Sequence, residues 1–286
     1  MRSVVITGTS TGIGWGSTKV LIENGFRVFG SVRKTTDAER LILEFGDNFV
    51  PLVFDVTDEA SVNAAADQVR GQLAGEKLFG PVNNAGIAVF GPLLGLPIAD
   101  FRHQIEVNLV GMVIATQAFA PLLGTDPRLK GPPGRIINIG SVGGRTALPF
   151  GAPYNSSKFA VEGLSESLRR ELLPFGIDVI VIGPGAVKTE IWGKGEQIDT
   201  APYANTPYAV PLEKLRELAR GEAKKGLPPE RIGEAVFHAL TAAKPKVRYA
   251  VSPQPVLDFM LRNLPKRLVD RVMASQLGLR PKKADS

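Results

Sequence analysis

Short apolar runs rich in β-branched residues alternate along this chain with stretches that have helical spacing. Several runs are apolar throughout, which is typical of strands buried on both faces of a sheet. In the connection 57–74, apolar side chains recur at helical spacing between Thr57 and Gly75. This rhythm predicts right-handed βαβ units and therefore an α/β fold with a doubly wound parallel sheet. The runs span residues 3–7, 27–32, 49–54, 135–139 and 178–182.

Domain organisation follows from the absence of any Pro-, Ser- or Gly-rich linker, which predicts a single domain over 1–286. Pro81 lies in a further strand-like run and would remove a ladder donor, so that strand should start late or be short. The Gly- and Pro-rich stretch 193–211 predicts a substrate lid over about 190–215. Apolar residues at helical spacing predict a C-terminal helical extension over 255–280.

Several function classes are excluded by composition. Cysteine is absent and the only histidines are His103 and His238, so we expect neither disulfides nor a protein-held metal. There are 34 basic and 28 acidic residues, a net charge of +6, but the basic residues are scattered and predict no nucleic-acid partner. No apolar stretch approaches the roughly 18 residues of a membrane span, and we expect no secretory signal. We expect a cytoplasmic protein.

A glycine-rich turn joins the first strand to a helix-like segment that extends to about residue 23. The turn contains Gly8, Gly12 and Gly14, which permit a tight bend and close approach of the backbone to a pyrophosphate. The helix N-terminus then directs N–H groups and a positive dipole end at the phosphates. The alternative is an ordinary βα turn. The candidate phosphate contacts are Gly8, Ser10, Thr11, Gly12, Ile13 and Gly14.

The spacing of these glycines and an ordered series of later motifs resemble the short-chain dehydrogenase/reductase family. The series runs through Asp55-Val56, Asn83-Asn84-Ala85-Gly86, Asn108, Ser141, Tyr154-Asn155-Ser156-Ser157-Lys158, Pro184-Gly185 and Thr189. The resemblance implies a Rossmann fold, a nicotinamide cofactor and a catalytic tetrad of Asn108, Ser141, Tyr154 and Lys158. It also implies cofactor contacts from Asp55, Val56, Asn84, Ala85, Gly86, Tyr154, Lys158, Pro184, Gly185, Val187 and Thr189.

Tyr154 and Lys158 lie four residues apart on a predicted helix, so both side chains leave one face. A phenol with an ordinary pKa near 10 is a poor base at neutral pH. The nearby ammonium, and the positive nicotinamide of an oxidised cofactor, should lower the Tyr154 pKa. Tyr154 would then exchange a proton with the substrate oxygen while hydride moves to or from the cofactor. An isolated Tyr-x-x-x-Lys would otherwise be a surface pair.

Two further members of the implied tetrad have different roles. Ser141 follows the strand that ends near residue 139 and is placed to hydrogen-bond the substrate oxygen. By the resemblance, Asn108 would anchor a water that links Lys158 to solvent. Helix capping or turn formation is the alternative for both residues.

The end of the second strand bears on cofactor choice. NAD-binding sites place an acid there, whereas this chain has Arg33 followed by Lys34, and no acid before Asp37. A guanidinium can bind a 2′-phosphate in bidentate fashion. NADP(H) is therefore favoured, and NAD(H) stays open because Arg33 could be an ordinary solvated residue.

The region between Ser141 and residue 177 resembles the 17β-hydroxysteroid and retinol dehydrogenase branch. We therefore predict an oxidoreductase that interconverts a secondary alcohol and a ketone or aldehyde of steroid-, retinoid- or aryl-like character. The candidate pocket is apolar, although Leu148 and Phe150 could instead be core residues. Its predicted lining is Ser141, Val142, Leu148, Phe150, Tyr154, Ile191 and Trp192.

Alternatives remain for function, assembly and surface. A non-catalytic dinucleotide-binding redox sensor would share the fold, although such sensors usually lack the tyrosine or lysine that this chain keeps. The resemblance implies a homodimer or homotetramer built on helices near 101–123 and 155–173. The basic C-terminal stretch either packs on its own domain or makes a peripheral membrane contact.

Overall fold

The computed structural model describes residues 1–189 and 198–279, which form a seven-stranded sheet in the order β3-β2-β1-β4-β5-β6-β7. All neighbouring strands are parallel. The predicted α/β doubly wound fold is thus confirmed. The strands are β1 (Ser3–Ile6), β2 (Arg27–Val32), β3 (Phe49–Val53), β4 (Gly80–Asn83), β5 (Arg135–Ile139), β6 (Asp178–Pro184) and β7 (Arg248–Val251).

Helices cover both faces of the sheet. The first apolar cluster joins one face to α1, α2 and α8, and the second joins the other face to α3, α5 and α6. The helices are α1 (Gly12–Glu23), α2 (Thr35–Phe45), α3 (Glu59–Gln72), α4 (Ile98–Ile105), α5 (Gly111–Phe119), α6 (Ala152–Glu171), α7 (Ala209–Lys225), α8 (Pro229–Thr241), α9 (Pro255–Asn263) and α10 (Lys266–Leu277). A π-helical segment, Glu106–Val110, joins α4 to α5.

The strand order reverses between β1 and β4, and this reversal fixes where a ligand can bind. In open parallel sheets the crevice lies outside the carboxyl ends of the strands at such a switch point. Strand β4 is only four residues long, as Pro81 led us to expect, and its ladder with β5 begins at Val82. The shortness of β4 leaves the following residues, from Asn84, as loop at the crevice.

The helical run Ile98–Leu123 has the length and mean hydropathy (1.5) of a membrane span. Its Ala115 and Phe119 nevertheless belong to the buried cluster under the sheet, followed by Leu122 and Leu123. Near its middle, Asn108 is hydrogen-bonded to the loop at Ile87 and to Ser157 of α6. We therefore interpret this run as a core helix.

Helix α1 packs against α8 almost backbone to backbone. An added Cβ at Gly16 would lie 2.6 Å from the carbonyl carbon of Pro229, and one at Gly233 would lie 2.7 Å from the carbonyl oxygen of Gly16. Lys19 and Glu230 close the contact with an ion pair of 3.3 Å. Helix α1 is thus braced by a helix more than 200 residues later in the chain.

Candidate active site

The glycine-rich turn has a backbone that only glycine fits. Gly8 and Gly12 have φ of 73° and 61°, in the left-handed region that L side chains rarely adopt. A Cβ on Gly14 would lie 1.9 Å from the carbonyl oxygen of Gly8. The turn is therefore closed on itself, and α1 begins at Gly12 directly beneath it.

Two neighbouring strands hold this turn in place. Thr7 Oγ1 accepts hydrogen bonds from the N–H groups of Asn84 (2.9 Å) and Ala85 (3.0 Å). The Asn84 amide in turn donates to the carbonyl oxygens of Thr7 and Gly8, both at 2.9 Å. From β2, Ser31 Oγ accepts from Gly8 N–H at 2.9 Å. Sequence reasoning did not identify Ser31, because a serine inside a buried strand carries no motif.

The chemistry of the α1 N-terminus fits a bound phosphate. Thr11 precedes the helix without making a side-chain capping bond, and the first turn contains no acidic residue. The N–H groups of the first turn and the positive dipole end are therefore available to an anion. The turn residues from Gly8 to Gly14, with Ser10, Thr11 and Ile13 between the glycines, would hold the pyrophosphate of a dinucleotide.

Arg33 and Asp55 lie at the ends of β2 and β3. Arg33 Nη1 is 3.9 Å from Asp55 Oδ2, and Arg33 is 74% exposed. Burial raises the pKa of Asp55, but hydrogen bonds from the N–H and hydroxyl of Thr57, together with the Arg33 charge, outweigh it and lower the pKa overall. Val56 is buried and packs where a side chain on Gly111 would otherwise stand. Asp55 therefore stays ionised beside Arg33.

Arg40 on α2 is a second cation near the turn that sequence reasoning missed. Its Nη2 donates to the carbonyl oxygen of Ser10 at 2.6 Å. Asp37 and Glu44 lie 3.7 and 3.3 Å from the same guanidinium and neutralise its charge. Arg40 thus links α2 to the turn and is neutralised by two acids. Arg33, in contrast, has one carboxylate, that of Asp55, at 3.9 Å.

The end of β6 closes the site from the other side. Gly185, after Pro184, donates its N–H to the Val251 carbonyl at 2.8 Å. Val187 is buried and bridges to Leu227. Thr189 lies over the glycine turn, since a Cβ on Gly12 would be 3.1 Å from its Cγ2. The residues expected from the motif series therefore converge on one crevice.

Ser141, Tyr154 and Lys158 come together at the end of β5. Helix α6 is confirmed and carries Tyr154 and Lys158 on one face, with Lys158 Nζ 5.9 Å from the Tyr154 ring centroid. Ser141 Oγ accepts from the Gly143 N–H at 3.0 Å, which leaves its own hydrogen to donate towards Tyr154. Lys158 Nζ is buried and donates to the Ile139 carbonyl at 2.8 Å.

The electrostatics of this trio differ from the sequence-based expectation. Burial raises the pKa of Tyr154, and the hydrogen bond from Ser141 opposes this without reversing it. Burial lowers the pKa of Lys158 to about 8. The expected lowering of the Tyr154 pKa by Lys158 is therefore wrong for these surroundings, because desolvation dominates and the ammonium is directed at the Ile139 carbonyl.

Asn108 lies in the π-helical segment, and both ends of its side chain are occupied. Its Oδ1 accepts from Ile87 N–H at 2.8 Å, and its Nδ2 donates to the Ile87 carbonyl (3.0 Å) and to Ser157 Oγ (3.1 Å). Gly86 fits beside it, with an added Cβ 3.2 Å from Asn108 Oδ1. The amide thus ties the β4 loop to α6 one residue before Lys158. Its role with a relay water stays a prediction.

An ion pair with side chains about 13% and 14% exposed lies behind Ser141, and no sequence motif predicted it. Arg248 of β7 donates from Nε to Glu162 Oε1 at 2.8 Å and from Nη2 to the Ser141 carbonyl at 3.2 Å. Glu162 follows Lys158 by one helical turn and also pairs with Arg145 at 3.0 Å. Gly183 makes room, because its Cβ would lie 2.3 Å from Arg248 Nη2. The charged group therefore joins β7, α6 and the serine loop.

An apolar wall borders Tyr154. The Phe90 and Tyr154 rings are 6.0 Å apart, and Phe150 packs edge-on against Tyr208 at 5.7 Å. Phe150 has a φ of 63°, an outlier for an aromatic residue of the kind that clusters at functional sites. The same apolar cluster contains Phe90, Phe150, Ile198, Tyr203, Tyr208, Leu212, Leu215 and Leu279.

The remaining substrate predictions have different outcomes. Val142 is half-buried in the serine loop, and Leu148 is half exposed, with its carbonyl accepting from Asn155 at 2.9 Å. Ile191 and Trp192, with the first part of the predicted lid (190–197), lie outside the described residues. Phe90 and Tyr208 were missed, because neither lies in a motif and both approach Tyr154 or Phe150 only in the fold.

Comparison with known proteins agrees with this geometry. The family model for short chain dehydrogenases matches residues 2–198. The chain is 38% identical to the NADPH-dependent 3-dehydrocapnine reductase of Ornithobacterium rhinotracheale, over 97% of this chain and 98% of that protein. It is 33% identical to mouse retinol dehydrogenase 16, over 99% and 90%. A short-chain dehydrogenase structure from Streptomyces avermitilis superposes with a TM-score of 0.76 at 23% identity, covering 97% of each chain.

Proposed function

The chain belongs to the short-chain dehydrogenase/reductase family and is an NAD(P)-dependent oxidoreductase acting on alcohol and carbonyl groups, and we propose that it uses NADP(H) and a hydrophobic substrate. The observation that carries this proposal is the trio at the end of β5. Ser141 hydrogen-bonds the half-buried Tyr154, whose helical neighbour is the buried Lys158, and the Tyr154 ring adjoins the apolar wall at Phe90. No feature of the described residues favours the redox-sensor alternative.

The residues divide the chemistry among themselves. The nicotinamide, when bound, donates or accepts the hydride. In reduction, Tyr154 gives its phenolic proton to the carbonyl oxygen, and its raised pKa keeps that proton in place across the neutral range. With substrate bound, the Ser141 hydroxyl hydrogen would turn from Tyr154 to the carbonyl oxygen, while Gly143 N–H keeps its hydrogen bond to Ser141 Oγ. Lys158 supplies a positive charge beside Tyr154, held by the Ile139 carbonyl.

Arg33 supports the choice of NADP(H). It is exposed at the end of β2, and its carboxylate partner is 3.9 Å away, so the guanidinium is available to a 2′-phosphate. The reductase from Ornithobacterium rhinotracheale is NADPH-dependent by name, which agrees with this assignment. NAD(H) would remain a second, weaker cofactor.

The wall beside Tyr154 supports a hydrophobic alcohol or ketone. Its half-buried members Phe90 and Tyr208 present aromatic rings over the buried Phe150 and Leu212, a lining that suits steroid-, retinoid- or aryl-like molecules. Retinol dehydrogenase 16, a relative by sequence, is named for a substrate of this kind.

We further propose a cytoplasmic homodimer or homotetramer. Phe159 on α6 is 46% exposed, and Phe101 and Val113 of the neighbouring helical run are only half-buried. Such an apolar surface on adjacent helices suits a symmetric contact between copies. Light scattering of purified wild type and Phe159→Glu tests this, and a variant that keeps the wild-type mass contradicts it.

The activity test offers purified protein NADPH or NADH with a matched series of short aliphatic, aromatic, steroid and retinoid carbonyls. We expect turnover with NADPH that rises along the series. Tyr154→Phe should lose about 10²- to 10⁴-fold in kcat while binding cofactor nearly normally, because only the transferable proton is removed. Tyr249→Phe, whose hydroxyl contacts His238 and Lys246 in the described structure, is the matched control and should stay active.

Two outcomes would contradict the proposal. A Tyr154→Phe variant with more than about a tenth of wild-type activity would remove Tyr154 from the proton transfer. Tight cofactor binding with no turnover on any carbonyl or alcohol would instead favour the sensor.

A further inference from the structure

Helix α9 turns its apolar side chains away from the protein. Val256, Leu257, Phe259 and Met260 are 71, 46, 60 and 49% exposed. At 100° per residue these four positions fall on one face of the helix. Nowhere else in the described residues do four large apolar side chains within five positions stand exposed. Leu261 and Leu264 of the predicted apolar stripe are half-buried, so packing of this stretch on its own domain holds for α9 only in part.

One acidic side chain of the same helix, Asp258, points inward. Asp258 is only half exposed, and its Oδ2 is buried without a hydrogen-bond partner among the described residues. A surface helix normally shows the reverse arrangement, with carboxylates in water and apolar groups inside. The orientation of α9 thus leaves an apolar face exposed to water, which is unfavourable in free energy.

Helix α10 continues the pattern. It is anchored by Val269 and Leu277, which are buried, while Leu268 and Val272 are 43 and 40% exposed. After Leu277 the chain turns through Gly278, whose φ is 74°, and Leu279 enters the apolar wall beside Phe150. The C-terminal helices are therefore connected along the chain to the candidate substrate side of the site.

The positive charge of the surface formed by α9 and α10 indicates what kind of partner it binds. Arg262, Lys266, Arg267 and Arg271 are exposed among the apolar residues, and Arg262 stacks 5.4 Å from the Phe259 ring centre. Asp270 is the exposed acid among them in the described part of the two helices. A second copy of this face would bring the same positive charge to the contact, whereas an anionic bilayer presents both complementary charge and acyl chains.

We propose that α9 and α10 form a docking surface for an anionic membrane, with the apolar face of α9 entering the interface and the basic residues contacting the headgroups. The contact is peripheral, because α9 is only nine residues long and lies on the surface. Docked in this way, the chain would hold the Leu279 side of its apolar wall near the bilayer, from which a hydrophobic substrate could enter. The membrane contact itself does not depend on the proposed function.

The test is co-sedimentation of the full-length protein with vesicles of phosphatidylcholine alone or with added phosphatidylserine, at low and high salt. We expect at least tenfold more binding to the anionic vesicles at low salt, and its loss at high salt. Phe259→Ser/Met260→Ser and Arg267→Glu/Arg271→Glu should each reduce binding at least tenfold. Leu43→Ser and Lys244→Glu, at exposed positions elsewhere, are the matched controls and should bind like wild type.

Thermal melting confirms that each variant is folded, and light scattering without lipid reports its mass. Absence of wild-type binding to anionic vesicles, or equal binding by the variants and controls, would overturn the proposal. A fall in mass of the α9 double variant without lipid would overturn it in favour of a contact between copies. None of these readouts uses turnover, so the outcome is separate from that of the activity assay.

Discussion

Around the glycine-rich turn, backbone approaches backbone so closely that one added methyl group would meet a carbonyl oxygen at 1.9 Å, whereas along α9 side chains as large as phenylalanine extend from the surface. The first region is specified by positions that tolerate one residue type. The second is specified by the direction in which ordinary residues face. Sequence motifs can therefore identify the closely packed region around the glycine-rich turn. The apolar surface at the C-terminus can be recognised only from the solvent exposure of its side chains in the structure.

The Arg248–Glu162 pair provides the largest expected effect on the close-packed side. Arg248→Met should lower the free energy of unfolding by about 3 kcal/mol, because it leaves the mostly buried Glu162 carboxylate with Arg145 as its remaining charged partner. The kcat should also fall, since the Ser141 carbonyl loses its anchor. Arg231→Met, which breaks an exposed pair with Glu234, is the control and should cost under about 0.5 kcal/mol. Denaturant unfolding of both variants measures the two losses in free energy of unfolding. Equal, small losses would show that the Arg248–Glu162 pair contributes no more than an exposed pair.

Glycine-to-alanine changes sharpen the comparison directly. Gly14→Ala should cost about 3 kcal/mol and abolish cofactor binding, because the clash is with backbone and cannot be relieved by rotation. Gly221→Ala in α7, where an added Cβ meets no atom within 4 Å, should stabilise by up to about 1 kcal/mol. Melting temperatures and NADPH titration measure both effects. A stable, cofactor-binding Gly14→Ala protein would show that the turn is looser than the contacts require.

Lys158→Met should remove activity yet stabilise the cofactor-free protein. Burial lowers the Lys158 pKa from 10.5 to about 8, so below pH 8 the folded protein bears the full penalty of a buried charge. Between pH 8 and 10.5 the unfolded chain binds the extra proton, and wild-type stability should therefore rise with pH in that window. After subtracting the lost Ile139 hydrogen bond, the gain at neutral pH is on the order of 2 kcal/mol. Urea unfolding at several pH values tests the sign; a variant less stable than wild type at pH 7 would refute it.

The smallest expected effect concerns the cofactor. Arg33→Ala should lower the ratio of kcat/KM for NADPH over NADH roughly tenfold, the lower end for a charge-assisted contact because the side chain is largely exposed. Arg40→Met should weaken both cofactors alike, since Arg40 acts on the turn through the Ser10 carbonyl. Kinetics at fixed ionic strength separate the two. If Arg33→Ala leaves the ratio unchanged, Arg33 has no part in recognising the 2′-phosphate.

Much of the fold and of the candidate site could be predicted from the sequence. Short β-branched runs such as 135–139 favour a buried strand, and the φ values of Gly8 and Gly12 explain why glycine marks the turn. Spacing placed Tyr154 and Lys158 on one face of α6. These inferences succeed because they depend on local geometry, which the neighbouring residues fix.

Long-range contacts could not be predicted in the same way. Ser31, Phe90 and Arg248 contact the site from distant positions, and none lies within a motif. The direction of the Tyr154 pKa shift was also missed, because desolvation depends on everything packed around the phenol. The outward orientation of the apolar face of α9 could not be predicted for the same reason. Periodicity shows that a helix has an apolar and a polar face without showing which one packs against the protein.

The contact of α1 with α8 has a consequence for how the chain is made. The Lys19–Glu230 contact, which braces α1, can form only after a further 211 residues have been synthesised. At ribosomal rates of about 5 to 20 residues per second, that wait is roughly 10 to 40 s, during which the nascent chain has its glycine turn but not its support. Contacts of such long sequence separation also slow folding once synthesis is complete. The glycine-rich turn and α1 are synthesised before α8, so they gain this brace only after residue 230 has been added.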